Sequence, residues 1–153
     1  MKLIKLTPVS SNKTKINSLF YPQKVLLAWG EAIKGNKEIT KWLMTNGFKE
    51  LGLFTYAVRN NDEARDWLMK NGYPHLMALV NGAEGKKQAV EWLKSNRFEA
   101  LSKVAQAADG DVEAYGWLKD RKHVELCFVA KCIKEVKDYI EDSNNDPHKI
   151  SKD

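Results

Sequence analysis

Stacked pairs of short α-helices, an all-α solenoid, are the fold class this sequence predicts, and three observations predict it. Trp42-Leu43, Trp67-Leu68, Trp92-Leu93 and Trp117-Leu118 recur every 25 residues, so four of the 5 tryptophans share one column. Ten residues before each Trp stand Ala32, Ala57, Gly82 and Ala107, and the next step of the register is Cys132. Such a column of small residues marks helices that approach closely. Gly35, Asn60, Gly85 and Gly110 form a third column, made of the residues that enter the left-handed region at least cost. A fixed period of this size is the signature of stacked repeats, and the expected architecture is a right-handed α–α superhelix of about four and a half units.

Composition agrees with a folded chain. Of 153 residues 43% are apolar and 29% charged, which excludes a collagen-like chain and a wholly disordered one. No stretch approaches the length of apolar residues that a membrane helix needs. Met1 to Pro8 holds a basic residue but no apolar run, so a secretory signal is not expected. Cys127 and Cys132 are expected to be free buried thiols, which suits a reducing, cytoplasmic setting.

The chain divides into a basic arm over residues 1–20, a helical repeat domain over 21–142 and a tail over 143–153. The arm carries Lys2, Lys5, Lys13 and Lys15 and no acid. It is expected to be solvated, or to lie across the first helices through Leu3, Ile4, Leu6 and Val9. Pro22 to Lys34 follows as the second helix of an incomplete unit, with Val25, Leu26, Trp29, Ala32 and Ile33 inward and Pro22 in its first turn.

The first helix of a full unit is illustrated by Asp62 to Lys70, with Ala64, Trp67 and Leu68 at the i, i+3, i+4 spacing of one face. The Trp and Leu of each pair are therefore expected in the core. Trp67→Ala or Trp92→Ala should then cost about 3–5 kcal/mol. Asn36, Asn61 and Asp111 are expected N-caps, with Glu38, Glu63 and Glu113 in the first turn; Lys86 replaces the cap in the third unit. Asn46-Gly47 and Asn71-Gly72 end this helix, and Asn96-Arg97 and Arg121-Lys122 take their place later. Phe48, Tyr73, Phe98 and His123 come next. In the second helix Leu51, Phe54, Ala57 and Val58 face inward, as do Leu101, Val104, Ala107 and Ala108. The last helix should run long, from Val124 into Tyr139-Ile140, because no Gly or Asn stops it at Glu135.

The run from Ala57 through Asn60-Asn61 and Trp67-Leu68 to Asn71-Gly72 resembles the helical part of an ankyrin repeat that lacks the β finger. The ankyrin period is 33. HEAT-like repeats are similar in being helix pairs, at longer periods. The resemblance covers residues 22–133. It implies protein binding in most members of such families, and nucleic-acid binding in some HEAT-like ones.

Candidate chemistry is sparse. His75, His123 and His148 form no metal spacing, and His123 with Cys127 is an i, i+4 pair without a third ligand. Gly82 to Lys87 lacks the phosphate-loop pattern. No catalytic residue, metal or cofactor is therefore expected, and the chain reads as a non-enzymatic interaction scaffold whose partner is another protein. The outward columns of the second helices hold Thr55-Tyr56, Val80-Asn81, Ala105-Gln106 and Ala130-Lys131. From these and their neighbours Tyr56, Met77, Asn81, Gln106, Tyr115 and Lys131 are the candidate binding residues. Two alternatives remain: a nucleic-acid-binding repeat using the basic arm, given a pI of about 9.1, and a self-associating structural protein.

Overall fold

The structure, a computed structural model, describes residues 21–145. Among these it is all-helical, with nine helices. They are α1 (Gln23–Lys34), α2 (Lys37–Thr45), α3 (Lys49–Ala57), α4 (Asp62–Lys70), α5 (Pro74–Ala83), α6 (Lys87–Ser95), α7 (Glu99–Ala108), α8 (Val112–Asp120) and α9 (Val124–Asn144). From α2 onward each class of helix begins at 25-residue intervals: 37, 62, 87 and 112 for one, 49, 74, 99 and 124 for the other.

Local chemistry explains the boundaries. Asn36 accepts from the Ile39 N–H at 3.1 Å and Asn61 from the Ala64 N–H at 2.8 Å. Asp111 accepts from both Glu113 and Ala114. Lys86 makes no such bond, yet α6 starts in register, so packing rather than its cap sets that end. At the other end Asn46, Asn71 and Asn96 each donate a side-chain N–H to the carbonyl of Trp42, Trp67 and Trp92 at 2.8 Å. The left-handed column is as expected, with φ 119° at Gly35, 69° at Asn60, 95° at Gly85 and 103° at Gly110.

The turns into the second helices use the same conformation: φ is 95° at Gly47 and 88° at Gly72, but Arg97 and Lys122 hold it at 68° and 61° without the freedom of glycine. Arg97→Gly and Lys122→Gly should each stabilise the fold by roughly 0.5–1 kcal/mol, the relief of left-handed strain less the added entropy of the unfolded chain. The urea midpoint reads this, and a midpoint that stays or falls counts against it.

Helices α1, α3, α5, α7 and α9 make an inner row, and α2, α4, α6 and α8 lie outside it, each packed on the two inner helices that flank it. The interior is built in layers, one residue from each inner helix. Leu26, Leu51, Leu76, Leu101 and Leu126 form one layer, and Trp29, Phe54, Leu79, Val104 and Val129 another; all are buried. Gly82 shows why the small column exists, since a Cβ there would stand 2.9 Å from the Ala105 Cβ.

The row does not end in two free faces as an open superhelix would. The last helix packs along the first: α1 contacts α3, and so on to α9, which returns to α1. Gly30 makes this possible, because a Cβ there would lie 2.3 Å from the Phe128 ring of α9. Lys34 then sits over that ring, 5.7 Å from its centroid. α9 also runs past the tail boundary expected at 143, through Asn144. Its extra turns carry Lys137 to the ends of α5 and α7, where the ammonium donates to the Ala83 and Ala108 carbonyls and pairs with Asp109. A cation there opposes the negative ends of two helix dipoles. Residues 1–20 and 146–153, that is the whole of the expected arm and most of the expected tail, lie outside the described residues.

Candidate functional site

The inner helices run parallel. The C-terminal ends of α1 and α3 meet where Arg59 donates to the Ile33 carbonyl at 2.9 Å, and those of α5 and α7 meet under Lys137. Their N-terminal ends meet through Tyr21 and Phe48, whose rings are 5.9 Å apart, and through His75 and Phe98, 4.8 Å apart. The antiparallel outer helices bring their C-termini, and the tryptophans on them, to this same end.

Here the expected core needs correction. Leu43, Leu68, Leu93 and Leu118 are fully buried, but their Trp neighbours are not. Trp42 is 47% exposed and Trp92 39%, while Trp67 and Trp117 are half-buried. Adjacent residues of a helix point about 100° apart, so only one of each pair can take the centre of the buried stripe. Leucine takes it, and the indole lies at its edge on the aromatic six residues on. Trp42 lies on Phe48, Trp67 on Tyr73, Trp92 on Phe98 and Trp117 on His123, with centroids 6.1, 5.8, 6.2 and 6.1 Å apart and planes within 20° of parallel. Cations add to two of the four: Lys49 lies 5.2 Å from the Trp67 centroid, and Arg121 and Lys103 lie 4.1 and 5.7 Å from that of Trp117.

Charge is segregated with these rings. Lys24, Lys49, Lys70, Lys94, Arg97, Lys119, Arg121 and Lys122 all stand at the helix ends and turns of this side. Its acids are Glu99, Asp120, Glu125 and the buried Glu50. The opposite end, where the outer helices begin, has the acidic first turns, with Glu38, Asp62, Glu63, Asp111 and Glu113. One end is thus aromatic and basic, while the other is of mixed charge, its acids standing beside Lys34, Lys37, Arg59, Arg65, Lys86 and Lys87.

Glu50 escaped the sequence reading, since an acid in a first turn looks solvated. It is buried at the start of α3, accepts from the Tyr21 hydroxyl at 2.7 Å, and is hydrogen-bonded to Tyr73 as well. Burial first, and then the Glu50 charge, push the Tyr21 and Tyr73 hydroxyls well above their usual range. The cluster ties the entry of α1 to α3 and α5 and fixes the floor beneath the aromatic pairs.

The residues singled out from sequence scatter. Tyr56 and Lys131 are exposed, Asn81 and Gln106 half-buried, all on one column of successive inner helices. Met77 is buried and offers no anchor, and Tyr115 is half-buried, its carbonyl facing the Cys127 thiol. Thr55, Val80, Ala105 and Ala130, expected outside, are buried, because that column packs on the preceding inner helix, where a Cβ on Gly82 would stand 2.9 Å from the Ala105 Cβ. Cys127 and Cys132 are free, and burial raises both thiols, Cys132 to about 11. Neither is therefore a thiolate near neutral pH. No group of His, Cys, Asp and Glu among the described residues could hold a metal, and no helix among them is long and apolar enough to cross a membrane.

Compared with known protein families, curated proteins and solved structures, the chain matches none.

Proposed function

We propose that this chain is a non-enzymatic binding module, a tandem helix-pair repeat akin to finger-less ankyrin-like or HEAT-like stacks, that holds a partner protein on its aromatic, basic end. One observation carries the reading. A large indole recurs every 25 residues at the edge of the core, whose centre the neighbouring leucine fills, and two of the four, Trp42 and Trp92, are exposed. Tryptophan and arginine are among the side chains that supply most binding energy at protein interfaces. The segregated positive charge favours a partner with an acidic contact segment, which it would steer and orient. The expected setting is cytoplasmic, with no cofactor.

Nucleic acid is the second reading, because Lys49, Lys103 and Arg121 already sit over indole faces as cations do in strand-binding grooves. The test starts from nuclease-treated lysate passed over the full chain and over a Trp42→Ala/Trp92→Ala variant. Proteins kept by the first and lost by the second are identified, remade pure and titrated. The expected result is at least about a thirtyfold weaker affinity for the variant, the size of a lost hot spot, at unchanged helicity. Equal affinity for both chains overturns the reading. Binding of a labelled oligonucleotide that the variant loses, with no protein so captured, moves the site to nucleic acid.

A further inference from the structure

The inner row has five seams, and four of them are covered. α2 packs on α1 and α3, α4 on α3 and α5, α6 on α5 and α7, and α8 on α7 and α9. The seam between α9 and α1 has no outer helix among the described residues. The register shows what this leaves bare. Gly52, Met77, Ser102 and Cys127 share one column, which meets the preceding outer helix. A Cβ on Gly52 would touch Met44 and the Thr40 carbonyl of α2, Met77 and Ser102 are buried, and Cys127 faces the Tyr115 carbonyl of α8. Leu27 is the member of that column on α1, and it is 44% exposed. Val124, one turn before Phe128 on α9, is 61% exposed. Phe128 meets Gly30, one turn after Leu27, so the two bare side chains stand at the same level of one seam.

We propose that the chain preceding Tyr21 docks on this seam and takes the place of the missing outer helix. Residues 1–20 are long enough, since the outer helices have 9 residues each. The segment also ends where an outer helix must end, at the entry of α1. Ile16, Leu19 and Phe20 have the i, i+3, i+4 spacing of an apolar face, and Ser11 and Asn12 precede them as candidate N-caps. Running antiparallel to α1, the segment brings Leu19 and Phe20 to Leu27 and Val124. It brings Lys13 and Lys15 to the other end of the seam, where Glu31 and Glu135 act on Cys132. A basic, acid-free segment fits that end.

The test uses the full chain and trypsin, which cuts after Lys13 and Lys15. Docking predicts cleavage at these bonds at least about tenfold slower than in a free peptide of residues 1–20, because only the undocked state is cut. Leu27→Asp and Ile16→Asp should each abolish the protection. Ile16 lies outside the described helices, so its substitution reads docking even if Leu27→Asp harms the fold. Cleavage as fast as in the peptide, or protection that neither substitution alters, overturns the proposal. So does protection that rises with protein concentration alongside a dimer in sedimentation, which would give the seam to a second copy.

Discussion

Trp29→Ala is expected to cost about 3–5 kcal/mol, the range for truncating a large aromatic in a packed core. Trp42→Ala should cost about 1 kcal/mol, roughly what one ring stacking contributes beyond burial. The contrast follows from position. Trp29 is fully buried in a layer with Phe54, Leu79, Val104 and Val129, edge-on to Phe54 with centroids 5.0 Å apart. That layer is graded, with the largest side chain on α1 and the smallest on α7 and α9, so no neighbour is sized to fill the space an alanine would leave. Its indole Nε1 has no hydrogen-bond partner. Trp29→Phe removes that orphan donor along with some packing and should cost much less than Trp29→Ala. Urea unfolding of the three variants decides the matter. A Trp42→Ala loss equal to that of Trp29→Ala would put the indole row back in the core and remove the proposed binding end.

Gly30→Val should cost about 1–3 kcal/mol, the range for overpacking a tight contact, although valine is a better helix residue than glycine. The added Cβ would enter the Phe128 ring, with contacts of 2.3 and 2.6 Å to its carbons. Phe128 is the wedge of the α9–α1 seam, so relief by swinging it out weakens the closure itself. Combining Gly30→Val with Phe128→Ala should therefore cost less than the two single losses added together. A double-mutant cycle with no coupling would mean that the two residues do not meet. The seam would then not be closed as described.

Much of the fold was legible before any coordinates. The period, the alternation of two helices, the caps at Asn36, Asn61 and Asp111, and the left-handed stops at Gly35, Asn60, Gly85 and Gly110 rest on interactions within a few residues. Short-range chemistry is written locally, so spacing reveals it. The inward stripe of the second helices was legible for the same reason: Leu51, Phe54 and Ala57 repeat as Leu101, Val104 and Ala107, all fully buried.

The candidate site was less legible, and the failure is instructive. Trp and Leu side by side are both large and apolar, and periodicity cannot say which is central when they differ by one helical step. Only the fit against α3, α5, α7 and α9 chose leucine. Glu50 carries no local mark of its burial, which comes from Tyr21 and Tyr73 at the starts of α1 and α5. Met77 looked like a free anchor until α4 was laid against its column.

What the residue order determined by itself is therefore the unit: two short helices, their starts and stops, and the 25-residue beat that repeats them. What the tertiary structure alone decided is how those units add. Each step turns the inner row, and the turns summed over five helices bring α9 back onto α1. That closure presses Gly30 against Phe128 and leaves Leu27 and Val124 bare on the one seam that no described outer helix covers. Burial at that seam depends on the total rotation, which is a property of all the contacts together.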